Sequence, residues 1–350
     1  MTDLDQRIAS VLRERAEGET DTHRLLRDSR ALGRRRQLRR RAATGTALAL
    51  VGVLGLVGVT GTDFAGLSGR LPWAAATPTV AAAVPPRADG VPGAAQRPDL
   101  VGTDPQVLHL GVDTSQARYL GWAVYRSNQV ESIRFNVGGG QPVLVEVSRS
   151  AQMINELLID GVPIQEAVVR LTFDGAVRQF GRTGGGLVTA WQPAPGLYAR
   201  ASMLVGDRSV LVKAVEAIRW NEARRCAAPL RLSTLPEGAT VSACSVDVTA
   251  FPKGLKVELT LYREPSATMW VKLLYGAQVA GSTTESNRVV GGRPGYLYPD
   301  GTKLELLGFP KAHLTADFGW PEKGFTEADA TTVLAGAQVA KDLTDPETWD

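Results

Sequence analysis

The chain of 350 residues carries 39 basic and 36 acidic side chains for a net charge of +3, with 44% hydrophobic residues, 2 cysteines and 3 histidines. That length and apolar content allow one sizeable globular domain or two small ones beside a membrane span, and with three histidines, none near either cysteine, the sequence argues against a Cys/His metal centre. The charge is uneven: residues 1–41 hold 12 arginines against 7 acids, a net of +5, while the remainder is net −2. The basic character thus belongs to the tail, and nucleic acid is not an expected partner.

In the tail, Leu4, Ile8, Val11 and Leu12 fall on one helical face, and Leu25, Leu26 and Leu32 follow the cap candidate Thr20-Asp21-Thr22. Helices this short are marginal alone, so they dock on a cytoplasmic regulatory partner or lie on the lipid surface. Arg34, Arg35, Arg36, Arg39, Arg40 and Arg41 then abut the uncharged run 42–62, AATGTALALVGVLGLVGVTGT. At about 1.5 Å per residue this run forms a helix of about 31 Å, enough to cross a bilayer. Arginine-rich flanks stay on the cytoplasmic side and contact anionic lipid, which predicts an uncleaved signal anchor: residues 1–41 a cytoplasmic arginine-rich tail, 42–62 a transmembrane helix, the rest extracytoplasmic. Gly52, Gly55, Gly58 and Gly61 line the span at a spacing that suits either helix association or simple small-residue usage.

Residues 63–107 are rich in Pro, Ala and Gly and read as an extended stalk. From residue 108 the pattern alternates. Val143, Val145 and Val147, then Val169, Leu171 and Phe173, then Val257, Leu259 and Leu261, then Met269, Val271 and Leu273 each mark one face of a half-buried antiparallel strand. Helices are predicted from about Asp207 to Arg219 and from the capping box Thr326-Glu327-Ala328-Asp329 onward. The expected fold is α+β: curved antiparallel sheets each packed by a helix, in two related sheet-plus-helix units, 108–225 and 226–350, after one transmembrane helix. Cys226 and Cys244, both outside the membrane, are expected to form a disulfide, the alternative being two buried thiols.

The layout of arginine-rich inner tail, single span, Pro/Ala stalk and outer domain is similar to that of actinobacterial single-pass membrane proteins of the anti-sigma and sensor-like groups. The tail has no cysteine and so lacks the His-x-x-x-Cys-x-x-Cys zinc signature of the zinc-type anti-sigma domain. Residues 185–220, GGLVTAWQPAPGLYARASMLVGDRSVLVKAVEAIRW, resemble the closing segment of lipoprotein-carrier-like outer domains, with Trp191, Gly196, Tyr198 and the helix ending at Ile218-Arg219-Trp220 carrying the match. The resemblance implies a half-open barrel whose concave face binds something apolar or a partner peptide.

No P-loop, H-E-x-x-H, G-x-S-x-G or calcium-loop pattern is present, and Gly138-Gly139-Gly140 and Gly184-Gly185-Gly186 read as turns. His109 and His313 fit surface or core roles better than a catalytic triad, and Glu146, Glu166, Asp174 and Glu258 show no pairing in sequence that would mark a glycosidase. Trp122, Trp191, Trp220, Trp270 and Trp320 are mostly core candidates; Trp191, Tyr198 and Trp270 are singled out for ligand binding. The expectation is a non-enzymatic extracytoplasmic domain, without cofactor or metal, that binds or senses an unidentified ligand or protein, with anti-sigma-like regulation as a special case. The alternatives are a cell-envelope structural or spacer protein and, more weakly, a cell-wall hydrolase.

Overall fold

The computed structural model describes residues 82–156, 171–180, 186–276, 285–320 and 324–349. The expected tail, its arginine flank, the span at 42–62 and the first part of the stalk lie outside the described residues, as do Val169 and Glu166. Among the described residues no helix is long and apolar enough to cross a membrane. All of them fall in one compact unit, Ala76–Asp350.

Two short strands, β1 (Val107–Leu108) and β2 (Gly111–Val112), lead into β3 (Ala117–Tyr125), β4 (Val130–Val137) and β5 (Val143–Ser148). Helix α1 (Ala151–Glu156) comes next, then β6 (Arg178–Phe180), β7 (Gly186–Ala194), β8 (Leu197–Met203) and helix α2 (Arg208–Glu216). The short strands β9 (Ile218–Arg219), β10 (Arg224–Arg225) and β11 (Leu230–Leu232) connect to the second series. That series is β12 (Thr240–Asp247), β13 (Gly254–Arg263), β14 (Ala267–Gly276), β15 (Arg288–Val290), β16 (Arg293–Leu297), β17 (Lys303–Leu306) and β18 (Ala312–Asp317). Helix α3 (Glu327–Ala335) and β19 (Ala337–Val339) close it.

Thirteen strands form one open antiparallel sheet in the order β15-β16-β17-β18-β14-β13-β12-β3-β4-β5-β8-β7-β6. This corrects the expectation of separate sheets, each with its own helix. The first strands of the two series, β3 and β12, pair with each other from Tyr125 opposite Ala243 to Gly121 opposite Asp247, so the sheet runs unbroken through the middle of the molecule. Each series still carries a helix: α2 packs on β4, β7 and β8, and α3 on β15, β17 and β18. Asp207 caps α2 by accepting the Ser209 N–H at 2.7 Å, and Thr326 and Asp329 form the expected capping box on α3.

Alternation decides what lies beneath the helices. Val143, Val145, Val147, Ala199 and Ala201 of the first series and Val257, Leu259, Leu261, Met269, Val271 and Leu273 of the second join one continuous buried cluster, so both halves share a core. Cys226 and Cys244 are bonded, with Cα atoms 6.2 Å apart, and both are fully buried in that cluster. Trp122 is also core, its Nε1 donating to the Cys226 carbonyl at 3.0 Å.

The domain starts earlier than residue 108. Residues 82–107, expected to be stalk, lie along it as a strap. The Ala88 N–H donates to Ala223 O, the Arg225 N–H to Pro86 O and the Ala94 N–H to His109 O, while Ala83, Ala94 and Val101 are buried. Fully buried Glu131 on β4 anchors this strap by accepting the Gly102 N–H at 2.9 Å, the His109 N–H at 2.6 Å and a contact from His109 Nδ1 at 2.6 Å. A Pro/Ala-rich composition did not predict this, because backbone hydrogen bonds, one buried carboxylate and scattered core contacts at Ala83, Ala94 and Val101 hold the segment rather than a periodic hydrophobic face.

Candidate functional site

The face of the sheet opposite α2 and α3, here the far face, is treated differently in the two halves. In the first half α1 packs on β5 and β8, and Ile154, Leu171, Val188 and Ala190 form a second small core with Phe173, Phe180 and Tyr198. Beneath it the Arg200 Nε donates to Glu146 Oε2 at 2.9 Å in an ion pair shielded from water. In the second half the same face is open: Trp270 is 36% exposed and Leu274 47%, beside Lys256, Glu258 and Lys272.

Where the halves meet, the register aligns small residues. Ser132 on β4 lies opposite Ala123 on β3, which lies opposite Ser245 on β12, giving a floor with little side-chain bulk. On one flank Arg134 on β4 reaches over Gly121 on β3 to Asp247 on β12, donating to its carboxylate at 2.9 Å and to Thr249 Oγ1 at 2.7 Å. Gly121 itself has no room for a side chain, since a Cβ there would meet the Val246 carbonyl at 2.8 Å. Tyr125 forms the other flank. Burial, reinforced by the Glu258 carboxylate, holds its phenol above the ordinary value, so it remains a neutral hydroxyl at physiological pH.

Two adjoining cavities of about 230 and about 300 Å³ occupy this seam and share Arg134 and Leu144. The larger ends on Pro142, Leu204 and Val205, the last two 49% and 65% exposed. Ser202 lines it too; its Oγ is buried and has no hydrogen-bond partner. An unpaired buried hydroxyl facing a cavity costs about 1–3 kcal/mol until something supplies its bond. From β12 to β8 the groove crosses five strands. At about 4.8 Å between strands this spans about 19 Å, the length of about six extended residues.

The three aromatic candidates do not converge. Trp191 pairs opposite Ala199 and therefore faces the core with it, stacking edge-on against Trp220 with centroids 6.2 Å apart. Tyr198, one residue away, faces the far side and packs on Phe173 at 4.8 Å. Trp270 stands on the open far face under Lys272, whose Nζ lies 5.5 Å from its ring centroid. Sequence reading missed Gly121, Ala123, Ser132, Ser245 and Ser202, because small residues acquire a role only through long-range register.

The carboxylates weighed for catalysis have basic partners: Glu146 with Arg200, Asp174 with Arg178 at 2.9 Å, and Glu258 with Lys256 at 3.1 Å. His109 is buried against Glu131, and His313 Nδ1 on β18 lies 2.5 Å from Glu305 Oε1 on β17, whose other oxygen accepts from the Tyr298 hydroxyl just after β16 at 2.8 Å. Burial and the Glu305 hydrogen bond push the Tyr298 phenol up to about 12. Among the described residues no group of three or more His, Cys, Asp or Glu side chains could hold a metal ion.

No family model and no curated protein matches the sequence. Two solved structures show distant similarity. One is the crystal structure of MucB in complex with MucA(peri), at 10% identity and a TM-score of 0.21, covering 70% of this chain and 97% of that one. The other is the Pseudomonas aeruginosa MucA/MucB complex, at 12% identity and a TM-score of 0.22, covering 70% and 98%. Alignments this loose do not establish a shared fold.

Proposed function

We propose that this domain is an extracytoplasmic, non-enzymatic binding module whose seam groove takes an extended segment of a partner protein. The observation that carries the reading is the groove itself: a floor of small residues with serine hydroxyls for main-chain groups, a buried unpaired Ser202 hydroxyl, and an apolar end at Leu204 and Val205 for a side chain. Its location outside the membrane rests on the arginine block and apolar run at 34–62. In this reading the arginine-rich tail is the inward contact, and sigma-factor regulation is a special case of it.

We infer also that the two halves descend from one sheet-plus-helix unit. What supports this is their strand order, β3-β4-β5-β8-β7-β6 and β12-β13-β14-β18-β17-β16-β15, each followed by a helix and a short strand. Those short strands, β9 and β19, pair with β2 and β11, which precede each series.

The test is site-specific photo-crosslinking of the full-length membrane-embedded chain. A photoreactive residue replacing Leu144 in the groove is expected to trap a discrete protein adduct, whereas one replacing exposed Val212 on α2 is not. Equal labelling at both positions, or none at either, would favour an envelope spacer.

A further inference from the structure

Beyond Tyr125 the far face holds a separate cavity of about 600 Å³, in the middle of the roughly 300–1,000 Å³ range of small-molecule clefts. Turns at one end of neighbouring strands build it: Arg126 follows β3, Thr240 and Ser242 lie on β12, and Tyr262, Glu264 and Thr268 come from the β13–β14 hairpin. A register shift in β12 between Val241 and Ala243 leaves Ser242 as the extra residue and turns it into this space. Its Oγ donates to Thr260 O at 3.1 Å, so its lone pairs are left for a donor from a ligand. Tyr262 donates its hydroxyl to Pro265 O at 2.6 Å, which fixes the ring as a wall.

Arg126 and Glu264 line this one cavity, yet neither makes an ion pair or side-chain hydrogen bond among the described residues. They present one uncommitted cation and one uncommitted anion to the same space. We propose that this cavity binds a neutral saccharide, a ligand class distinct from the polypeptide of the seam groove and independent of that reading.

The lining selects the class by exclusion and by fit. The lining includes no leucine, isoleucine, valine or methionine, so an acyl chain finds no branched aliphatic wall, and Tyr262 supplies the one aromatic face. Arg126 and Glu264 are exposed side chains of opposite charge on one lining, so the cavity carries no net charge to select a phosphate or carboxylate ligand. A pyranose suits both features, because its vicinal hydroxyls accept from a guanidinium and donate to a carboxylate, and the Thr240, Ser242 and Thr268 hydroxyls complete the set. Its C–H face needs an aromatic ring. Tyr262 supplies one within the cavity, and Trp270, two residues beyond Thr268 on the same face, supplies a second for a following sugar unit.

The experiment is saturation-transfer NMR and calorimetry on the full-length chain in detergent, with maltohexaose, cellohexaose and chitotetraose as neutral probes and inorganic phosphate as the anion control. At least one glycan is expected to bind, with affinity falling about tenfold in Arg126→Ala and in Glu264→Ala, and weakened again in Trp270→Ala. Leu204→Asp, which alters only the seam groove, is expected to leave glycan affinity unchanged. The proposal is overturned if none of the three glycans binds, if binding survives both charge removals intact, or if phosphate binds in their place. Absence of peptide binding by the wild-type chain, with glycan binding retained, would instead fault the groove reading alone.

Discussion

The two halves of the sheet share a helix on one face and differ on the other. In the first half Glu146 and Arg200 sit opposite each other under α1 and the small core around Ile154, dry and held by a direct ion pair. In the second half Glu258 and Lys272 occupy matching positions in the same row across the sheet, but 26% and 35% exposed. Alternation is the same in both halves, so it does not distinguish a covered far face from an open one. The difference arises after the third strand of each series: α1 and the residues around Leu171 come back over β5 and β8, and among the described residues nothing comparable covers β14 and β18.

Breaking the ion pair on each side sharpens this contrast most. Glu146→Ala strands a buried guanidinium and is expected to cost about 3–5 kcal/mol, whereas Glu258→Ala is expected to cost at most about 1 kcal/mol, both read from denaturant unfolding. Equal costs would mean the two faces are equally wet. Next in size is the staple at the join. Replacing Cys226 and Cys244 with serine is expected to cost about 3 kcal/mol for a loop of this length, with both halves losing stability together because they share one core.

The helices allow a finer comparison. Thr326→Ala removes the capping box of α3 and is expected to cost about 1 kcal/mol. Asp329 in that box also titrates. Burial raises its carboxyl, but hydrogen bonds from Arg263 and Thr326 outweigh burial and hold it below its ordinary value. A carboxylate depressed in the folded state adds stability above its unfolded pKa of about 3.9 and loses it as pH falls through the folded value. Wild type is therefore expected to lose more stability than Asp329→Asn below about pH 4, measured as the shift in thermal midpoint.

Much of this architecture was legible because it is local. The alternation of Val257, Leu259 and Leu261, the capping box at Thr326 and the spacing of the two cysteines each carry their meaning within a few residues or one compartment rule. The seam did not, since nothing near Ala123 or Ser245 says that β3 and β12 will pair. Trp191 and Tyr198 looked like neighbours in one motif, yet seven residues and the irregularity between Trp191 and Ala194 put them on opposite faces. The strap at 82–107 was hidden for a different reason: the residue that holds it, Glu131, lies on β4 and reads in sequence as one more exposed acid.

Whether the seam groove binds an extended polypeptide is read from peptide affinity. Peptides selected from a random library on the full-length chain would be titrated against wild type and against Ser245→Trp, which fills the groove floor. Micromolar binding is expected, abolished in Ser245→Trp while the thermal midpoint stays near that of wild type; peptides that bind the filled variant equally well would show that the groove is not their site.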